Sequence, residues 1–262
     1  MEFITHAIFK WLHIIAGITW IGLLYFFNWI NGHVAATLDA DSKKKIIPEL
    51  LPRALYFFRW GAAWTWITGL ILLQVVFYHG GLTFEDPDLS GFGTGALVMI
   101  AVTFLGVFLY DILYKSSLAS NVRVVTMVSF VLIGVVVYLM KDWAGFSYRS
   151  FNIHIGTMFG TIMAFNVWFR IWPAQQSVIT SIKNGEAPDG NLVALAGLRS
   201  RHNTYMSIPL IWTMINQHTT HFSGGNLGIP SDYSWLVLLV VVALGWHIVW
   251  QLYKKSGKVK GF

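Results

Sequence analysis

Five histidines, His13, His154, His202, His218 and His247, lie within or at the lip of stretches apolar enough to cross a membrane. An imidazole in hydrocarbon is costly and needs a partner: a carboxylate, a backbone carbonyl, a metal or a haem iron. A rise of about 1.5 Å per helical residue sorts the five by depth. His13, His154 and His218 fall toward one side, with His79 and His221 in the adjoining loops. His202 and His247 fall toward the other, and His202 stands ~24 Å from His218 on one expected helix. A non-covalent b-type haem needs facing neutral imidazoles, small residues beside the porphyrin and cations for its propionates. Gly156 and Gly160 form a GxxxG face beside His154, Gly17 lies a turn from His13, and Arg59, Arg199 and Arg201 supply charge. Each feature also has a plainer reading: GxxxG as tight helix packing and a lone histidine as a hydrogen-bonded one.

A second constellation gathers at the opposite helix ends: Arg59, Asp111, Lys115, Asn166, Arg199, Arg201, His202 and Asn203. Arginine forks pair with the oxygens of a small planar anion, and asparagines read ring edges. The competing reading is charge anchoring at a membrane surface, which accounts better for the lysines than for Arg59 inside FFRWGAAW. Asp111 is the only carboxylate within an expected span. It is either the i,i+4 partner of Lys115 or a proton acceptor and an anchor for Arg59. Most of the thirteen tryptophans read as interface belts, while Trp11, Trp20, Trp60, Trp64 and Trp66 are candidates to pack a flat cofactor.

The elements that must position these residues follow from composition. The chain is 55% hydrophobic and only 11% charged, against about 25% charged in a soluble domain, so it reads as an all-α integral membrane protein. The absence of cysteine excludes disulfides, thiolate metal sites and CxxCH haem attachment. Seven spans are expected at about 3–30, 54–78, 94–114, 122–140, 151–172, 204–218 and 233–253, the first being a span rather than a removable signal. They make one membrane domain over 1–262. An amphipathic cytoplasmic segment is expected at about 173–201, broken near 187–190, and Pro209 interrupts the sixth span. Fourteen of the eighteen Lys and Arg fall on one face, which predicts a periplasmic N-terminus and a cytoplasmic C-terminus. Gly22 with Phe27-Asn28 and Gly160 with Phe165-Asn166 share one spacing, a hint of a parallel helix-pair repeat.

WLHIIAGITWIG, FFRWGAAWTWITG, YDILYKS, HIGTMFGTIMAFNVWFRIWPAQQ and LRSRHNTYMSIP, in this order, resemble the membrane domain of the bacterial membrane-bound urate hydroxylases. The first motif is also similar to the opening helix of a haem-binding protoporphyrinogen oxidase. The urate hydroxylase resemblance implies oxidation of urate to 5-hydroxyisourate, with water as oxygen source and electrons passed to a c-type cytochrome. It implies ligand roles for His13, His154, His202, His218 and His247, and polar-site roles for Arg59, Asp111, Asn166, Arg199, Arg201 and Asn203. The family's eighth helix and cytochrome c domain have no counterpart in these residues, so electrons are expected to reach a separate cytochrome c or respiratory complex.

The expectation is therefore a seven-helix b-type cytochrome in the bacterial inner membrane, holding one or two haems. A planar anion such as urate would lie near Arg59, Arg199 and Arg201, with Asp111 or His202 as the base. The rivals are a haem-free transporter whose histidines and Asp111 relay protons, and an accessory subunit of a respiratory assembly.

Overall fold

A computed structural model describes residues 2–86, 91–218 and 228–260. The chain is an all-helical membrane protein. Helix α1 (Glu2–Tyr25) runs through a π-helical turn (Phe26–Asn31) into α2 (Gly32–Thr37). Helix α3 (Ala40–Leu72) ends in a second π turn (Leu73–Tyr78). Helices α4 (Thr94–Leu113) and α5 (Val122–Asp142) follow. Helix α6 (Tyr148–Asn166) passes through a third π turn (Val167–Ile171) into α7 (Trp172–Asn184). Helices α8 (Gly190–Ile215) and α9 (Ser234–Ser256) complete the order. Counting each π turn with its neighbours, the described residues make seven rods at the seven expected places.

The rods overrun the apolar windows where the sequence turns polar. Helix α3 begins at Ala40, capped by Asp39, whose carboxylate accepts from the Ser42 backbone N–H (2.8 Å) and hydroxyl (3.0 Å). Those bonds hold the Asp39 carboxyl below its ordinary range. The amphipathic segment breaks at Gly185 (φ 79°), where only a residue tolerant of left-handed backbone closes α7. Its second half is not a short helix, because from Gly190 it continues as α8.

Five rods are long and apolar enough to cross a membrane: Ile4–Thr37, Ala40–Tyr78, Thr94–Leu113, Val122–Asp142 and Ser231–Ser256. The other two, α6 and α8, bury their polar side chains, including Asn152, His154, Asn166, Arg199, Asn203 and Thr213. Polar groups turned inward lower a helix's hydropathy without exposing it to lipid. The outward positions of α4 and α5 are instead apolar, for example Leu105, Leu109, Met127 and Val131, as lipid contact demands.

The helices fall into two compact units: Met1–Ile71 with Met163–Ser207 and Trp246–Phe262, and Leu72–Ile162 with Ile208–Gly245. In the first, Leu51, Leu55, Phe58 and Ala62 make a buried stripe on α3 at helical spacing. Gly61 lets that helix meet α1, since a Cβ there would stand 3.1 Å from the Trp20 backbone nitrogen. In the second, Ala96, Met99, Thr103 and Val107 turn inward from α4, and Ile133, Val137 and Met140 from α5. Here Gly156 and Gly160 face Thr213 and Leu210 of α8, and a Cβ on Gly156 would overlap the Thr213 side chain. The GxxxG face is thus a helix-packing face.

Candidate functional site

In the first unit two asparagines reach α8, Asn28 from the π turn after α1 and Asn166 from the last residue of α6. Asn28 Nδ2 donates to Ser200 Oγ at 2.8 Å, and Asn166 Nδ2 donates to Asn203 Oδ1 at 2.9 Å. These are the asparagines of the repeated Phe-Asn motif. They reach α8 three residues apart, either side of Arg201 and His202. Their amide orientations are fixed by partners that can only accept: Asn28 Nδ2 also donates to Leu24 O, and Asn203 Nδ2 to Met163 O at 3.0 Å. Asn28 Oδ1 is therefore free to accept, and it takes the Tyr253 hydroxyl at 2.8 Å.

Around this clamp the groups are cationic and aromatic. Arg199 is 2% exposed, and Asn166 and Asn203 are fully buried. The Arg201 guanidinium lies 5.3 Å from the centre of the Tyr253 ring, which stacks on Tyr205. Tyr25 bonds Ser207 at 3.0 Å and stacks on Trp29 at 4.2 Å. The Trp29 indole N–H is buried without an acceptor among the described residues. A site of guanidinium, amide and indole donors with flat aromatic walls suits a planar ligand rich in acceptor oxygens.

Two of the expected haem ligands share one feature of proton placement. Thr68 has a single hydroxyl proton, and it goes to Trp64 O at 2.6 Å. Its oxygen can therefore only accept from His13 Nδ1, 3.1 Å away, which leaves the lone pair of His13 on Nε2. Gly69 lets the ring lie against α3, since a Cβ there would stand 3.1 Å from His13 Cε1. In the second unit His154, fully buried, donates from Nδ1 to Ser150 O at 2.7 Å, so its Nε2 also carries the lone pair. Tyr78 donates its hydroxyl to that nitrogen at 3.0 Å. A ring of contacts, Tyr78–Phe92–Phe84–Phe146–His154, surrounds it, with Phe146 4.6 Å from the imidazole. An Nδ1–H anchored on the protein with Nε2 outward is the arrangement of metal-binding imidazoles, so both residues fit a haem iron in that respect.

The remaining candidates lie as follows. His247 is on the exposed face of α9, its Nε2 accepting from Gln251 at 3.2 Å. His202 is half-buried on α8. His218 closes the sixth rod in backbone, and its side chain lies outside the described residues, as does His221. Asp111 forms the i,i+4 pair with Lys115 at 2.7 Å, and both belong to the second unit. Arg59 lies over Trp172 at 3.5 Å from the ring centre. The structure thus joins Asn166, Arg199, Arg201 and Asn203 in one unit and adds Asn28, Ser200 and Tyr253. Of these additions only Asn28 carried a signal in sequence, the repeated Phe-Asn.

A family profile described as urate oxidase N-terminal matches residues 39–260. The chain belongs to the urate oxidase N-terminal family. No curated protein matches it, and no solved structure does. The family match covers the α8 clamp, Asn166, Tyr253 and His154, while His13 and Asn28 precede it.

Proposed function

We propose that this member of the urate oxidase N-terminal family is a b-type haem oxidoreductase of the bacterial inner membrane, oxidising urate to 5-hydroxyisourate. The reaction consumes urate and one water and releases two protons and two electrons. The electrons pass to a separate c-type cytochrome or respiratory complex. The observation that carries this reading is the clamp on α8, where Asn28 and Asn166 flank a segment holding Arg199, Arg201, His202 and Asn203.

In this reading Arg199 and Arg201 neutralise the urate anion, and Asn203 and the Trp29 indole bond its oxygens. Tyr253 and Tyr205 cover a ring face. His202, beside Arg201 on α8, is the candidate to take the proton from water. Asp111, held by Lys115, is not needed as the base. His13 in the first unit and His154 in the second are each a candidate to hold a haem through Nε2, with His202, His218 and His247 as the remaining candidates. Haem, when bound, would accept the electrons singly and hand them on. The N-terminus is periplasmic and the basic tail cytoplasmic.

The test is a reduced-minus-oxidised spectrum of purified protein with urate as the only reductant. A b-type band is expected. Arg201→Ala should keep the band with dithionite and lose at least about tenfold of its urate-driven rate, the size of one charge-assisted bond. Unchanged reduction by urate in that variant removes the site, and a colourless preparation removes the haem. The Tyr78–His154 bond favours one second reading, a haem-free proton relay, which the colourless result would support.

A further inference from the structure

Sequence groups Arg59 with Arg199 and Arg201, but its surroundings differ. It enters α3 five residues past the start of the expected span, ~7.5 Å below the surface. Its Nε donates to Leu55 O at 3.3 Å, one turn back toward the end that carries Lys43, Lys44, Lys45 and Arg53. The stem therefore runs toward the interface, as a snorkelling cation does.

The guanidinium carbon lies over Trp172, 3.5 Å from its ring centre, and 5.4 Å from that of Trp168. Trp168 is itself fixed, donating its indole N–H to Arg59 O at 3.2 Å. Among the described residues no carboxylate pairs with Arg59, and its one hydrogen bond uses Nε. With Nε bonded to Leu55 O, the Nη1 and Nη2 edge matches two oxygens of a phosphate. Exposed apolar rings adjoin Trp168: Phe169 follows it and is 62% exposed, and Trp60, 42% exposed, packs edge-on against it at 5.7 Å. An anion-binding edge bordered by exposed apolar surface fits a ligand with both an anionic head and acyl chains.

We propose that Arg59, Trp168 and Trp172 form a binding site for the phosphate of an anionic phospholipid headgroup. The amphipathic surroundings favour a lipid over a free anion, because a soluble phosphate has no use for the exposed rings of Trp60 and Phe169. Bound lipid would fix the interfacial end of α3 against the π turn that follows α6.

The experiment is intact-protein mass spectrometry of the full chain, delipidated in nonionic detergent. It is then offered phosphatidylglycerol, phosphatidylcholine of the same chains, or inorganic phosphate. Wild type should prefer phosphatidylglycerol about tenfold over phosphatidylcholine, the size of one charge-assisted bond, and Arg59→Gln should abolish the preference. Arg59→Lys keeps the charge without the fork and should fall between, which reads the same difference if Arg59→Gln does not fold. Equal binding of both lipids by wild type overturns the proposal, as does a full preference in both variants. Competition by inorganic phosphate at lipid concentrations would assign a soluble anion instead. Loss of urate binding in Arg59→Gln, with lipid preference intact, would return Arg59 to the substrate site.

Discussion

His154 shows how a single residue can be held ready by its neighbours. Ser150 O takes the Nδ1 proton, so Nε2 is left as an acceptor and Tyr78 fills it. In the proposed role, a haem iron would compete with the phenol for that lone pair. Replacing Tyr78 by Phe removes the competitor, and a buried hydrogen bond is worth about 1 kcal/mol net. Apparent haem affinity should rise roughly fivefold, read by titrating haem into metal-free protein and following the visible spectrum. A fall in affinity would mean that Tyr78 supports the ligand rather than capping it. No sequence pattern marked Tyr78, because its partner is 76 positions away. Asn28 carried only the repeated Phe-Asn as a signal, and its bonds to Ser200 and Tyr253, which span 172 and 225 positions, did not show. What was legible at this scale was residue type in an unusual place: a histidine, asparagine or arginine within an apolar run.

At the scale of elements, apolar windows located the rods but not their ends. Helix α3 begins fourteen residues before its expected span, because Asp39 caps a polar extension that hydropathy cannot register. Hydropathy and length predict spans at 151–172 and 204–218, yet α6 and α8 are not among the five described rods apolar enough to cross a membrane. The interior position of Asn152, His154 and Asn203 explains why. Their contact also decides the GxxxG question. In Gly156→Val the new side chain would collide with Thr213, and overpacking of this kind costs about 1–3 kcal/mol. Thermal unfolding of the purified protein should shift down accordingly, and Thr213→Ala added to Gly156→Val should restore part of it. If Gly156→Val instead keeps its stability and loses haem, the glycine face serves the cofactor after all.

For the whole molecule, the distribution of basic residues predicts a periplasmic N-terminus and a cytoplasmic tail. The chain contains no cysteine, so single-cysteine variants report without background. Glu85→Cys should react with a membrane-impermeant maleimide in intact spheroplasts, and Ser117→Cys only after permeabilisation, since both side chains are exposed. The reverse pattern would invert the assignment, placing the α8 clamp on the periplasmic side. The charge count was readable from sequence because it depends on loops. The joining of Asn28, Arg201 and Tyr253 was not, since it depends on how three distant helices come together.

The sheltered character of α6 and α8 bears on how the protein is made. With Asn152 and His154 on α6 and Thr204, Ser207 and Thr213 on α8, the polar pair gains less from entering lipid alone than the apolar helices do. The ribosome delivers α1, α3, α4 and α5 first, all apolar, so the polar pair emerges when candidate neighbours are already in the bilayer. Biogenesis would then be cooperative from the sixth helix onward, and a nascent chain arrested within α8 would be a substrate for quality-control proteolysis rather than a stable truncation.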